Sequence, residues 1–478
     1  MEISLKKGTT YLIISQIIFL LSGYGIQITT GRILGPEDYG TFGIILYLLN
    51  TINLIVVSGM TKTASKFLSQ NLSSKNATIR VFFKIQLYIL IISFLIYFVL
   101  AGKISIFFHD TGLKPLIMIS ALGIPIYGVY ALTTMGILNG LRAFKKQAAS
   151  QIIFSLTKLV FMIALCIKFG VIGAIIGYIV ASFIGFIFSF ACLRMDNDIK
   201  GSITVKEIIV FSFPTSIYIT CIFLMLNIDF FSLKVILGNE LLTGYYNSAT
   251  TIARVPYFIS GALAMVLLPS ISFLLSENNI SKVKRLIEKS LRYLFIFLFP
   301  TSLLISATSR NLIVFLYSGN YIKASEPLSI LVFGLAILSI INILATIAIA
   351  AGKPKIVSSA LLIIVLIDLF LNKILITKYE MIGAALASTV SAIIGVIFFL
   401  FFVCKEFNIR LDIKSLSKVS LSSIVVYILA IYIDISGFFL IIEYVLLFLI
   451  YFAILYLTKE LKREDFILIK EICEKIKN

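Results

Sequence analysis

Three basic side chains stand within or at the ends of long apolar stretches of the sequence. Arg254 lies about ten residues into one stretch, roughly 15 Å deep at the helical rise per residue. Lys158 lies near the middle of another stretch, and Arg32 lies at the end of the first. A charge inside a membrane costs about 2.5–3.5 kcal/mol, so each cation needs an anionic partner. We expect an anionic ligand, which an arginine binds through its planar fork. The alternative for Arg254 is a structural contact with Asp229 or with backbone carbonyl groups.

A second set of polar side chains could bind a small cation. Asp229 lies in one apolar stretch, and Asp368 and Asn372 lie in another with the i, i+4 spacing of a shared helix face. Together with Thr389 they offer carboxylate, amide and hydroxyl oxygens to Na⁺, while a single carboxyl could instead carry H⁺. The alternative is a buried ion pair of either aspartate with Lys373. We expect no other cofactor or metal, because the chain has one histidine.

The composition places these side chains in a membrane protein. Hydrophobic residues make up 60% and charged residues 13% of the 478 positions, whereas roughly a quarter of a soluble domain is charged. Apolar stretches of about twenty residues fit a hydrocarbon core of ~30 Å. They predict an all-α integral membrane protein of about 14 transmembrane helices, near residues 11–33, 41–60, 81–101, 115–138, 150–168, 171–193, 208–236, 244–273, 291–309, 327–350, 357–376, 381–404, 417–434 and 437–458.

The basic residues set the predicted orientation. Most lysines and arginines lie in the segments on the same side as the two termini, and few lie in the opposite loops. The positive-inside rule therefore predicts a multi-pass protein of the cell (plasma or inner) membrane with cytoplasmic N- and C-termini. The net charge of +18 is a topology signal on this interpretation, and we expect no nucleic-acid partner.

The two halves of the chain contain related segments. Arg32–Gly40 and Lys234–Gly244 share a basic residue, an Ile-Leu-Gly run, an acidic turn and a glycine before an aromatic residue. Lys168–Ala174 and Lys378–Ala384 share the spacing of a lysine and an Ile-Gly-Ala run at an offset of 210 residues. A residue type used at two equivalent helix ends is often an interfacial anchor, which is the alternative for Arg32.

The repeat divides the chain into predicted domains. Residues 1–195 form an N-terminal six-helix lobe and residues 206–404 a C-terminal six-helix lobe, followed by two additional helices over 405–458 and a cytoplasmic amphipathic tail over 459–478. Because six spans is an even number, the lobes insert in parallel and are related by an axis along the membrane normal. Two such lobes can rock against each other and expose a central seam to alternate sides.

The repeated segments also resemble a known family. Gly31–Gly40 (GRILGPEDYG) resembles the N-terminal signature of polysaccharide-biosynthesis (O-antigen-type) flippases of the multidrug/oligosaccharidyl-lipid/polysaccharide exporter superfamily. Asn372–Ser388 is similar to the junction of their helices 11 and 12. Thr377 stands where that family commonly has proline, and Glu380 stands where it commonly has glycine. The resemblance extends over essentially the whole chain.

The resemblance implies a flippase that moves a polyprenyl phosphate- or diphosphate-linked oligosaccharide from the cytoplasmic to the outer leaflet and catalyses no reaction. It implies phosphate binding by Arg254, because related flippases carry cavity arginines on helices 1, 2, 7 and 8. Some relatives place a cation site on helices 7, 11 and 12, which implies coupling to Na⁺ or H⁺. Membrane lipids and the glycosyltransferases or polymerase of the same pathway are the expected partners.

Two other functions are possible for such a sequence. A multidrug or small-molecule cation antiporter of the same superfamily typically has twelve spans and an acidic cavity, which the additional spans and the intramembrane cations disfavour. A membrane glycosyltransferase or polymerase usually needs a large outer loop, and the longest one predicted here, 310–326, is short. The sequence does not determine the saccharide, its lipid carrier, the coupling ion or the oligomeric state.

Overall fold

The computed structural model describes residues 2–70, 75–193, 208, 212, 219–409 and 412–461. Every regular element in these ranges is a helix, which confirms the predicted all-α class. Three predicted features lie outside the described residues. They are the linker between the lobes, most of residues 208–218 in the seventh span, and the tail beyond residue 461.

The chain divides into two compact units, Met1–Ser248 and Ala249–Asn478. The helices of the first unit are α1 (Glu2–Gln70), α2 (Lys75–Phe107), α3 (Leu113–Ala121), α4 (Gly123–Ala131), α5 (Phe144–Ala191), α6 (Ile228–Leu237) and the greater part of α7 (Glu240–Ala253). A π-helix over Leu132–Leu138 continues α4. The helices of the second unit are α8 (Val255–Ser276), α9 (Ile280–Ala307), α10 (Ser309–Leu316), α11 (Ser325–Ala350), α12 (Pro354–Phe407), α13 (Ile413–Ile433) and α14 (Phe439–Leu457).

These helices account for the predicted spans. Nine helices in the described ranges are long and apolar enough to cross a membrane, and the bent pair Ile219–Met225 and Ile228–Leu237 makes a tenth. Three of them, α1, α5 and α12, contain a non-helical residue and each holds two predicted spans. Helices α7 and α8 together form the eighth predicted span. The structure therefore agrees with the predicted count of about fourteen.

The repeat is visible in the backbone angles of α5 and α12. Each helix turns at one residue of positive φ: Gly170 has φ 57° and ψ −138°, and Glu380 has φ 48° and ψ −124°. These positions are 210 residues apart, which is the offset found in the sequence. Glycine adopts such angles freely, whereas a side chain makes them strained. The first copy of the repeat therefore has a relaxed turn and the second a strained one.

The same two helices pack across their turns in the same way. A Cβ atom built on Gly173 would lie 1.9 Å from the Leu165 carbonyl oxygen, and one built on Gly383 would lie 2.1 Å from the Leu375 carbonyl oxygen. Both pairs again differ by 210 residues. Only glycine permits the two backbones to approach so closely. The shared Ile-Gly-Ala run therefore encodes a helix contact that occurs once in each repeat.

The last two helices, α13 and α14, pack on α9 through an apolar cluster that is bounded by polar contacts. At one end, Arg292 Nε donates to Glu460 Oε1 at 2.9 Å, and the Ser415 hydroxyl donates to the same oxygen at 2.6 Å. At the other end, the hydroxyl oxygens of Tyr444 and Thr308 lie 2.6 Å apart. Helices α13 and α14 are therefore held at both ends to the rest of the second unit.

The strained turn at Glu380 leads to a stability prediction. We expect Glu380→Gly to raise the apparent unfolding temperature, because glycine relieves a backbone strain of about 1–3 kcal/mol. The matched change at the other repeat, Gly170→Ala, should lower it, although the new Cβ would lie 4.0 Å from its nearest neighbour, Leu34. Thermal unfolding of the purified full chain in detergent measures both effects. Equal unfolding temperatures for wild type and Glu380→Gly would contradict the strain argument.

Candidate functional site

Lys158 lies on α5 against an aromatic surface. Its Nζ atom lies 5.4 Å from the centre of the Tyr178 ring, within the range of a cation–π interaction. The side chain is half-buried, and it forms no ion pair with a carboxylate in the part of the chain that the structure describes. Tyr178 belongs to the later half of the same helix, which turns at Gly170. Lys158 is therefore an intramembrane cation whose charge a bound anion could balance.

Arg254 stands at a break in the eighth span. Helix α7 ends at Ala253 and α8 begins at Val255, and Pro256 has no N–H group to continue the hydrogen-bonding pattern. The Arg254 N–H still donates to the Thr250 carbonyl oxygen at 3.2 Å, so the chain stays locally helical. The Arg254 side chain is half-buried. Arg254, which is predicted to bind phosphate, therefore lies near the start of the second compact unit.

Lys234 and Arg32, which correspond in the repeat, have different surroundings. Lys234 is fully buried, its ammonium group contacts the Glu240 carboxylate, and it lies 3.6 Å from Asp110 Oδ2. Burial tends to raise the pKa of the Glu240 carboxyl, but the hydrogen bond from Lys234 and its charge outweigh burial, and the pKa lies below its usual value. Arg32 is exposed. Lys234 is therefore a structural tie, whereas the guanidinium group of Arg32 is accessible.

Asp229 is buried on α6 and is bonded within the first unit. Its Oδ1 atom accepts a hydrogen bond from the Phe230 N–H at 2.8 Å, and its Oδ2 atom accepts one from the Tyr246 hydroxyl at 2.5 Å. Tyr246 lies on α7. Asp368, with which Asp229 is grouped in the sequence-based prediction, belongs to the second unit. The grouping of the two carboxylates in one cation site therefore stays a prediction.

Asp368 and Asn372 contact each other on α12. The Asn372 Nδ2 atom donates to Asp368 Oδ1 at 3.1 Å, and the Asn372 Oδ1 atom is buried and accepts no hydrogen bond from the described residues. Thr389 donates to the Ala385 carbonyl oxygen of its own helix at 2.7 Å and lies against Gly334. Carboxylate and amide oxygens suit a hard monovalent cation. No group of three Asp, Glu, His or Cys side chains in the described ranges could hold a metal ion.

The two copies of the Ile-Leu-Gly motif are followed by glycines that touch each other within the first unit. A Cβ atom built on Gly40 would lie 2.2 Å from the Glu240 carbonyl oxygen, and one built on Gly244 would lie 1.6 Å from the Pro36 carbonyl oxygen. Each glycine thus meets the backbone four residues before the other one, so the contact is pseudo-symmetric. In the predicted orientation it lies at the outer ends of the second and eighth spans.

The sequence patterns did not single out several polar side chains that the structure places in notable contacts. Asp110 lies in a loop beside a span end, and that position was a usable signal. Glu443 of α14 is buried, and neither of its carboxylate oxygens has a hydrogen-bond partner among the described residues. Its presence in an otherwise apolar span was the signal. Tyr246, Tyr178 and Asn53 gave no signal of this kind, because the chain has 22 tyrosines and asparagine is uncharged.

Solved structures show the same fold. The inward closed conformation of the lipid II flippase MurJ superposes with a TM-score of 0.75 at 19% sequence identity, covering 94% of this chain and 97% of that one. An inward-facing multidrug resistance MATE family transporter of the MOP superfamily superposes with a TM-score of 0.68 at 16% identity, covering 83% of this chain and 98% of that one. The fold is therefore shared with transporters that carry different names.

Sequence relatives narrow the classification. The capsular polysaccharide biosynthesis protein CapF of Staphylococcus aureus is 23% identical over 416 residues, which cover 84% of this chain and all of that protein. Residues 30–326 match the family described as polysaccharide biosynthesis protein. This match includes the Gly31–Gly40 segment that carries the resemblance in the sequence, and it confirms that resemblance. The chain belongs to the polysaccharide biosynthesis protein family.

Proposed function

We propose that the protein is a flippase that moves a polyprenyl phosphate- or diphosphate-linked oligosaccharide from the cytoplasmic to the outer leaflet by alternating access. The family match and the fold shared with a lipid II flippase support this class of substrate. The observation that carries the proposal is Lys158, an intramembrane cation without a carboxylate partner in the described residues. An anionic lipid headgroup would balance its charge, whereas a cationic drug would not.

Three basic side chains are the proposed ligands of the phosphate. Arg254 provides a planar guanidinium group near the middle of its span, Lys158 provides a half-buried ammonium group, and Arg32 provides an exposed cation. Arginine binds two phosphate oxygens at once, whereas an ammonium group acts as a point charge. The protein itself forms and breaks no covalent bond, so its contribution is to bind the headgroup and to change which side the headgroup faces.

The geometry at Gly40 and Gly244 supports alternating access. Two backbones that meet without side chains can separate without leaving a side chain in an unfavourable environment. The pseudo-symmetry of the contact is what two parallel repeats produce where they meet near their common axis. We propose that, in the orientation with cytoplasmic termini, this contact closes the outer side of the protein. It opens when the saccharide is released outward.

The role of Arg254 can be tested by substitution. We expect Arg254→Ala to slow translocation about tenfold or more, because hydrogen bonds to charged groups contribute about 1.5–3 kcal/mol. Arg254→Lys should retain part of the rate, and Arg310→Ala, which changes an exposed arginine, should retain all of it. The measurement is the amount of surface glycan and of accumulated lipid-linked intermediate in cells that depend on each variant. Unchanged export by both Arg254 variants would remove this residue from the mechanism.

Coupling to a cation is proposed at Asp368 and Asn372. If Na⁺ or H⁺ binds there, an imposed gradient of that ion accelerates translocation in proteoliposomes, and Asp368→Asn abolishes the acceleration because the carboxylate charge is lost. Asp38→Asn, at an exposed carboxylate, is the matched control and should respond to the gradient like wild type. A response of Asp368→Asn equal to that of wild type for both ions would exclude this site from coupling.

The outer contact leads to a third prediction. Gly244→Ala places a methyl group 1.6 Å from the Pro36 carbonyl oxygen, so the two helices must separate and the closed outer side is destabilised. We expect translocation to fall severalfold. Gly261→Ala, where nothing lies within 4 Å of the new Cβ, should have little effect. Translocation in proteoliposomes measures both variants, and equal rates for Gly244→Ala and wild type would show that the contact need not close.

A further inference from the structure

Lys158 is one member of a compact group of polar and aromatic side chains in the first unit. The Tyr127 ring of α4 lies 5.9 Å from the Tyr178 ring and 6.0 Å from the Phe154 ring of α5. Asn53 of α1 reaches the same place, where its Nδ2 atom lies 3.4 Å from the Tyr178 hydroxyl. Tyr178 therefore joins the group, with Lys158 over its ring and Asn53 at its hydroxyl.

Asn53 has an unsatisfied amide in this group. Its side chain is 3% exposed, and its Oδ1 atom accepts no hydrogen bond from the described residues. A buried acceptor left without a donor costs about 1–3 kcal/mol, and such atoms are uncommon in folded proteins. The 3.4 Å contact to Tyr178 engages only the nitrogen end of the amide. The oxygen end is therefore available to a donor that is not part of the chain.

Simple core packing does not account for this combination of residues. A structural core at this depth would be stabilised by apolar side chains, because both a lysine and an unsatisfied amide are costly inside a membrane. The Tyr127 side chain is half-buried, so one part of the aromatic surface is open to a ligand. A charged sugar has a ring face, hydroxyl groups and an acidic group. These can contact, in turn, an aromatic face, a hydrogen-bond acceptor and a cation.

We propose that Asn53, Tyr127, Lys158 and Tyr178 form a saccharide-binding subsite for the sugar next to an anionic group. The apolar face of the sugar ring packs on Tyr127, a sugar hydroxyl donates to Asn53 Oδ1, and the anionic group binds the Lys158 ammonium beside Tyr178. The anionic group is either the phosphate of the lipid linkage or a carboxylate of the sugar itself. The proposal deepens the proposed function and rests on it, since it concerns how that substrate is recognised.

The absence of tryptophan from the sequence provides a direct binding assay. Tyr127→Trp keeps an aromatic surface and places the single tryptophan of the protein in the subsite. The probe is the lipid-linked saccharide that accumulates in cells lacking this protein, added intact to the purified full chain. We expect its fluorescence to change with saccharide concentration. Tyr88→Trp, at a position that is 60% exposed on α2, is the matched reporter and should show no such change.

Substitutions in the Tyr127→Trp background then test the individual contacts. Lys158→Gln should weaken binding about tenfold, and Lys158→Arg should weaken it less. Asn53→Leu should also weaken binding severalfold, but should not lower the unfolding temperature of the unliganded protein, because it removes an unsatisfied polar atom. A residue that merely supports the fold would give the opposite pattern, with lost stability and unchanged affinity.

Two further probes identify the anionic group. If Lys158→Gln weakens the binding of sugar-free polyprenyl phosphate, Lys158 binds the phosphate. If it weakens only the binding of the saccharide released by acid, Lys158 binds a sugar carboxylate. Unchanged affinity for every probe in both the Lys158→Gln and Asn53→Leu variants would overturn the subsite, even where wild type still flips the intermediate. If no lipid-linked intermediate accumulates in cells lacking the protein, the proposed function itself fails.

Discussion

The cost of placing charge among apolar helices governs the arrangement of polar groups in this protein. Lys234 is fully buried, and it is held by the carboxylates of Asp110 and Glu240. Glu460 is buried and accepts hydrogen bonds from Arg292 and Ser415. Each of these charges joins elements that are distant in sequence. Separating the elements would leave a buried charge without its partner, which is strongly unfavourable, so the ion pairs stabilise the packing of the helices.

Lys158 differs from these residues because it forms no ion pair with a carboxylate among the described residues. Its ammonium group lies over the Tyr178 ring, which stabilises a cation only in part. In the proposed function, an anionic ligand balances the remaining charge of Lys158. The proposed function therefore rests on electrostatics as well as on similarity.

Close backbone contacts at glycines occur both within each repeat and between the two copies of the Ile-Leu-Gly motif. Within each repeat, Gly173 and Gly383 bring neighbouring helices into backbone contact at equivalent positions. Gly40 and Gly244 do the same where the two copies meet in the first unit. Contacts inside a repeat are between consecutive helices of one chain segment, and in the proposed mechanism they persist while the contact between the two copies opens. The compact units divide within α7, after Ser248, because the chain up to Gly244 packs against the first repeat.

The sequence by itself determined the class of structure, because hydrophobicity over about twenty residues is a local property that the membrane enforces. It also determined the repeat, since Gly173 and Gly383 stand in recognisable runs. The family resemblance marked Glu380 as a departure from a common glycine, and the backbone there has the positive φ that glycine favours. The contact of Asp368 with Asn372 follows from helical spacing alone.

Only the tertiary structure decided which charges are paired. Lys234 and Arg32 are equivalent in the sequence pattern, but one is buried between two carboxylates and the other is exposed. Asp229 is bonded to Tyr246, and Asn53, Tyr127 and Lys158 each lie against Tyr178. Such contacts depend on which faces of the helices meet, and no local pattern in the sequence records that choice.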